Sequence, residues 1–244
     1  MAATTLVVGA GRGLGRGIAE AFAEADTPVV AVARTRSDLL DLAAHDQVRT
    51  EVADATDSAT ARRLLATYRP QVCILVAGAV PVSRPLQEQT WETFSVNWHA
   101  DVRMTFEWLR EALLLPLPPG SRVIVVSSGA ALAGSPLSGG YAGSKAMQRF
   151  MTGYAQDEAA RAGLDLTFTA VLPRLTPLTL LGRAAVAAYA RRHRQTEAEY
   201  VAAAGEPSLT PAGAGAALLE LARTDADCLT SSYLLSGTGL RPLN

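Results

Sequence analysis

The chain has 244 residues, 49% of them hydrophobic and 18% charged, with 22 basic side chains against 23 acidic ones, which suits one globular domain of ordinary size. So even a balance excludes the strongly basic face of an electrostatic nucleic-acid binder. Cys73 and Cys228 are too few for a disulfide framework or a zinc site, nothing at the N-terminus resembles a signal peptide, and prolines and charges interrupt every apolar run before it reaches membrane-spanning length. A soluble cytoplasmic protein with neither nucleic acid nor membrane as partner is expected.

Short apolar runs rich in β-branched residues alternate along the chain with longer alanine-rich amphipathic stretches. That alternation predicts βαβ units and a parallel sheet buried on both faces. Strands are predicted at residues 5–8, 28–33, 47–52, 72–76, 122–127, 165–172 and 232–235, and helices near 13–25, 36–44, 57–68, 91–115, 141–162 and 211–223. Seven strands with intervening helices make a single doubly wound, Rossmann-type α/β domain over residues 1–244. Residues 174–207 contain no strand pattern, only prolines at the entry and then alanine- and arginine-rich sequence. This insertion is expected to lie over a substrate site as a lid.

The first strand runs directly into Gly9-Ala10-Gly11-Arg12-Gly13-Leu14-Gly15, followed by Ile18, Ala19 and Phe22 at helical spacing. A strand, a glycine turn and a helix N-terminus in succession let backbone amides approach a pyrophosphate with the helix dipole behind them, so the loop points to a dinucleotide. Cofactor choice falls to the end of the second strand, where an acid would bond a free ribose 2′-hydroxyl and a base would accept a 2′-phosphate. Ala33 and Arg34 stand there, and Arg12 lies inside the loop. Two guanidiniums favour NADP(H). Asp54, after the third strand, either accepts from the adenine amino group or caps the next helix.

Of the 22 basic residues, 21 are arginine, and the single lysine is Lys145. Lys145 follows Tyr141 by four residues near the start of a predicted helix, so phenol and ammonium share one face. A free tyrosine titrates too high for efficient proton transfer at neutral pH, and a neighbouring cation favours its phenolate. Ser127 and Ser128 close the strand at 122–127, at the edge of an open α/β sheet where ligands bind. Ser128 therefore either faces the cofactor crevice or serves as a turn residue.

These residues, in this order and spacing, resemble the short-chain dehydrogenase/reductase family over essentially the whole chain. The matching elements are Gly9, Gly13 and Gly15, Ala77-Gly78 after the fourth strand, Val96-Asn97, Ser128, and Tyr141 with Lys145. The resemblance implies that Tyr141 is the general acid or base toward the substrate oxygen and that Ser128 orients and polarises the carbonyl. It implies further that Lys145 assists Tyr141 and holds the nicotinamide ribose, and that Asn97 supports a proton-relay water. Ala77, Gly78, Pro173 and Thr176 would contact the cofactor, with Thr176 and Thr179 as candidates for the nicotinamide carboxamide. Homodimers or homotetramers built on the predicted 91–115 and 141–162 helices are also implied.

The chain departs from the family pattern in two places. Leu75 and Val76 stand where two asparagines often precede Ala77-Gly78, and Arg174 stands where the family usually has glycine after Pro173. Arg174 either reshapes that turn or supplies a cation to a diphosphate or an anionic substrate. The expected reaction is reversible hydride transfer between nicotinamide and a carbonyl or secondary alcohol. The expected lid residues Leu178, Leu180, Leu181, Val186 and Tyr189 suit an apolar or moderately polar substrate. Arg191, Arg192, His193 and Arg194 either attract an anionic group or form a solvated helix face. A non-catalytic dinucleotide module would lack some member of the Asn, Ser, Tyr and Lys set, and all four are present. A sugar-nucleotide epimerase or dehydratase would need a larger C-terminal substrate domain than the few residues after Pro207 supply.

Overall fold

A computed structural model of the chain describes residues 3–243. Its centre is an eight-stranded sheet in the order β3-β2-β1-β4-β5-β6-β7-β8, with β1 at Thr5–Val8, β2 at Val29–Ala33, β3 at Val48–Val52, β4 at Val72–Leu75, β5 at Ser121–Val126, β6 at Leu166–Pro173, β7 at Ser232–Ser236 and β8 at Gly239–Leu243. The first seven strands are parallel and β8 returns antiparallel to β7.

Successive strand residues point to opposite faces, and both faces of the central strands are dry. Val7, Ala31, Ile74, Ile124 and Val171 face one layer, where they meet Ile18 and Phe22 of α1 (Gly13–Glu24) and Leu218 of α9 (Pro211–Arg223). Their neighbours Leu6, Val30, Cys73, Val123 and Phe168 face the other layer, packed on α2 (Ser58–Tyr68), α4 (Arg103–Leu114) and α6 (Gly139–Arg161) through Leu64, Trp108 and Ala155. Strands buried on both sides read as unbroken apolar runs, which is why they are legible in the sequence.

Three expected elements come out differently. The helix predicted at 36–44 is two 3₁₀ turns, Arg36–Leu39 and Leu42–Ala44. Each turn is anchored by one buried leucine, Leu39 in the first and Leu42 in the second. The helix predicted at 91–115 is divided into α3 (Trp91–Phe94), a π-helical turn (Trp98–Val102) and α4. The sheet has an eighth strand beyond the seven expected: β8 carries Arg241 and Pro242, and an edge position tolerates a proline that a central strand would not.

The expected lid resolves into α7 (Leu180–His193) and α8 (Glu197–Ala202), each started by a threonine cap, Thr179 and Thr196. A short helix, α5 (Ala130–Ala133), follows β5 and was not expected. Among the described residues, no helix is long and apolar enough to cross a membrane, and no group of side chains is arranged to hold a metal ion.

Candidate active site

β1 hydrogen-bonds to β2 on one side and β4 on the other, so the order of strand addition reverses at this point and a crevice opens at the C-terminal strand ends. A cavity of about 770 Å³ occupies it, lined by the β1 loop, the ends of β2, β4, β5 and β6, and the inner face of α7. That size matches a cofactor or small-molecule site.

The glycine loop meets the geometric demands that the sequence suggested. A Cβ on Gly9 would stand 2.5 Å from the Ala77 nitrogen, and one on Gly15 would stand 2.1 Å from the Gly9 carbonyl oxygen. These glycines let the loop fold against itself and against the end of β4. Gly13 has a left-handed φ of +57° and faces open space, its nearest neighbour being the Thr179 methyl at 3.5 Å. Arg12 occupies the N-cap of α1 without a side-chain cap, leaving the first helical amides free to take an anionic group. Gly11, Leu14, Arg34, Asp54 and Gly78 also line the cavity. The cradle therefore fits the diphosphate of a dinucleotide.

At the adenosine end Arg12 and Arg34 line the cavity together with one acid that sequence reasoning passed over, Asp38, whose Cβ lies 2.8 Å from where a Gly11 Cβ would be. It sits on the 3₁₀ turn that was expected to be a helix, and no sequence spacing marks it. Asp54 accepts from the Thr56 backbone amide at 2.9 Å and from the Thr56 hydroxyl at 2.8 Å. Those two bonds, with the Arg34 and Arg103 guanidiniums, hold its carboxyl below the usual range. The cap of α2 is Asp57, not Asp54.

The chemical end is built from α6. Ser127 anchors that helix by donating from its hydroxyl to the Lys145 carbonyl oxygen at 2.7 Å. Gly140 permits the helix to start where it does, because a Cβ there would stand 1.8 Å from the Phe94 carbonyl oxygen at the end of α3. Tyr141 and Lys145 then project into the same cavity, with the ammonium 5.5 Å from the phenol ring centroid. Ser128 lines the cavity beside them, its hydroxyl accepting from the Ala130 amide at 3.2 Å.

Lys145 is buried and carries a partner that the sequence did not reveal. Asp101, fully buried in the π-helical turn, places Oδ2 3.1 Å from Lys145 Nζ. Its Oδ1 accepts from the Ala79 amide at 2.8 Å and from Asn97 Nδ2 at 3.3 Å, and Asn97 Nδ2 also donates to the Ala79 carbonyl at 2.7 Å. Burial opposes the charge on Lys145, but the Asp101 carboxylate and Tyr141 more than offset it and raise its pKa. Gly78 makes the room: a Cβ there would stand 2.8 Å from Asp101 Oδ2. The signal available in the sequence was the spacing, since Asp101 follows Asn97 by four residues.

The remaining expected residues divide. Pro173 and Thr176 line the cavity, but the buried Thr176 hydroxyl donates to the Leu209 carbonyl at 2.6 Å and accepts from the Leu178 amide at 3.2 Å. Its geometry is that of a brace under the lid. Arg174 pairs with Glu206 at 2.5 Å at the mouth of the cavity. Leu180, Leu181 and Tyr189 form the lid wall, whereas Val186 is buried beneath it and Leu178 does not line the cavity. Tyr189 is fixed by hydrogen bonds to the Ser135 hydroxyl and the Leu137 amide, and its ring stacks on Tyr200 at 6.0 Å. Arg191, Arg192, His193 and Arg194 are exposed on the outside of the lid and line no part of it.

The family model described as short chain dehydrogenase matches residues 3–188, and the chain belongs to that family of oxidoreductases. Among solved structures it is similar to a short chain dehydrogenase from Mycobacterium avium, at 20% identity and a TM-score of 0.76, over 98% of this chain and 84% of that one. It is likewise similar to an alcohol dehydrogenase from the archaeon Thermococcus sibiricus complexed with 5-hydroxy-NADP, at 20% identity and a TM-score of 0.77, over 99% of each. A third is ElxO with NADP bound, at 19% identity and a TM-score of 0.78, over 97% of each. No curated protein sequence matches the chain.

Proposed function

We propose that the protein is an NADP(H)-dependent carbonyl reductase, reversible as an alcohol dehydrogenase, with Tyr141 as the proton donor and acceptor. The observation that carries this reading is the placement of Tyr141 and Lys145 on one face of α6, in the same cavity as the free N-terminus of α1. Gly9, Gly11, Arg12, Gly13, Leu14 and Gly15 would hold the diphosphate, Asp54 would border the adenosine side, and Ala77 and Gly78 would line the cofactor path between there and Lys145. Pro173 and the backbone around Thr176 would border the nicotinamide. Arg12 and Arg34 offer two guanidiniums at the ribose end, which favours a 2′-phosphate, although Asp38 and Asp54 line the same end. Two of the similar structures carry NADP or a derivative of it.

When bound, the dihydronicotinamide supplies the hydride. The protein's own residues do the rest. Ser128 donates to the carbonyl oxygen and orients it, Tyr141 delivers the proton to that oxygen, and Lys145 stabilises the charge left on the phenol. Asn97, with Oδ1 buried and without a hydrogen-bond partner among the described residues, would hold a water that returns the proton from solvent. The lid wall of Leu180, Leu181, Ala184 and Tyr189 is uncharged, so the substrate is an uncharged, largely apolar carbonyl compound. The enzyme acts in the cytoplasm as a homo-oligomer assembled through α4 and α6.

The test is a panel of apolar aldehydes and ketones with NADPH and NADH, following cofactor oxidation for the wild type and Tyr141→Phe. The expected result is a preference for NADPH and a loss of about 10²-fold or more in kcat for the variant. Full activity of Tyr141→Phe on every substrate turned over would exclude the proton-transfer role.

A further inference from the structure

The assigned set of Asn97, Ser128, Tyr141 and Lys145 leaves one buried ionisable group at the chemical end without a job. Asp101 has no solvent exposure, bonds through Oδ1 to Ala79 and Asn97, and aims Oδ2 at Lys145. Oδ2 has no hydrogen bond to any other described residue. Either charge left unpaired at this depth would be costly, so Asp101 and Lys145 are each other's counter-ion. Burying this pair costs desolvation of both charges, and Gly78 is kept free of a side chain where the carboxylate sits.

We propose that Asp101 is a positioning residue of the reaction: its carboxylate pins Lys145 and Asn97 and, by its charge, keeps the proton of the Tyr141–Lys145 pair in place toward alkaline pH. The proposal rests on the reading of Tyr141 as proton donor. Seen from the phenol, a lone Lys145 is a positive charge that draws the proton off, whereas Lys145 with Asp101 is a neutral pair. Asp101 thus holds Lys145 charged and in place by Tyr141, close enough to stabilise the phenolate as its proton leaves.

The other ionisable groups around the cavity do not duplicate this charge. Arg12, Arg34, Asp38 and Asp54 line the end next to β2 and β3, and Arg103, the neighbour of the π-helical turn, acts on Asp54. Arg174 is engaged by Glu206, Tyr189 is bonded to Ser135, and His99 is exposed. Asp101 is the carboxylate in contact with Lys145.

Removing a negative charge beside two coupled groups lowers the pH at which either releases a proton, whichever gives it up first. Loss of a unit charge within about 10 Å, at an effective dielectric near 20, moves a titration by about one pH unit. The experiment is the pH dependence of kcat for NADPH-driven reduction in the wild type, Asp101→Asn and Asp101→Glu. Asp101→Asn keeps the shape and loses the charge, so the alkaline fall-off should move down by about one pH unit. Asp101→Glu keeps the charge in poorer geometry, so kcat should fall while the alkaline limb stays in place.

An unmoved limb in a folded Asp101→Asn, or the same shift in both variants, would overturn the proposal. Should Asp101→Asn not fold, Asp101→Glu decides, and an alkaline limb moved down by about one pH unit in that variant would equally overturn the proposal. Failure of the proton-donor reading is recognised separately, by a Tyr141→Phe variant that keeps its turnover.

Discussion

Lys145 persists in a chain whose other basic side chains are all arginine, and the site shows the reason. The ammonium is buried against Asp101 at 3.1 Å and beneath the Tyr141 ring at 5.5 Å, a space that suits a compact point charge. A guanidinium is planar, larger and presents its donors as a fork, and Gly78 already marks how closely this corner is packed. Lys145→Arg should therefore lower kcat by about 10²-fold or more without unfolding the protein. Steady-state kinetics beside a thermal melt check this, and near-normal turnover would refute it. Tyr141 and Lys145 were legible in the sequence because a four-residue spacing on one helix is a local fact. Asp101 and Asp38 were not, because each meets its partners only after distant parts of the chain are brought together.

Elements were legible in proportion to how uniformly they are buried. The central parallel strands have near-continuous apolar runs, the outer strand β3 is the polar, partly exposed VRTEV, and the positions of all seven agree closely with expectation. The stretch from 91 to 115 reads as one amphipathic helix, yet a π-helical turn interrupts it where Asn97 and Asp101 reach the Ala79 backbone. Side-chain bonds to another loop decided that interruption, and helical periodicity does not register them. The start of α6 carries a sharper constraint. Gly140→Ala would drive a methyl into the Phe94 carbonyl, costing about 1–3 kcal/mol and displacing the adjacent Tyr141, with kcat falling on the order of 10²-fold. Gly143→Ala, on the same helix with nothing within 4 Å of the added carbon, should instead gain roughly 0.5–1 kcal/mol. Melting temperatures and kcat for the pair of variants separate the two effects.

Across the whole molecule, the exposed aromatic side chains are concentrated around α4 and α6. Trp98, Phe106, Phe150 and Tyr154 are each at least half exposed, and Phe150 stacks on Tyr154 at 6.5 Å. Large apolar rings at that exposure mark a contact surface. Phe150→Glu should weaken self-association by at least about tenfold, or about 1.4 kcal/mol, lowering the mass seen by light scattering at micromolar protein. An unchanged mass would remove this face from the assembly. Lys145 lies on the inner side of α6, so the proposed contact face and the candidate active site share that helix.

The sequence by itself determined the α/β alternation, the glycine loop, the two guanidiniums near the ribose end and the tyrosine with its lysine. All of these are written in neighbouring residues and follow from local periodicity and spacing. Only the tertiary structure decided that Asp101 neutralises Lys145 and that Thr176 is held under the lid. It also decided that the arginine run faces solvent and that an acid joins Arg12 and Arg34. Each of those depends on which buried group finds which partner when strands far apart in the chain become neighbours, and burial is what turns such a meeting into an energetic requirement.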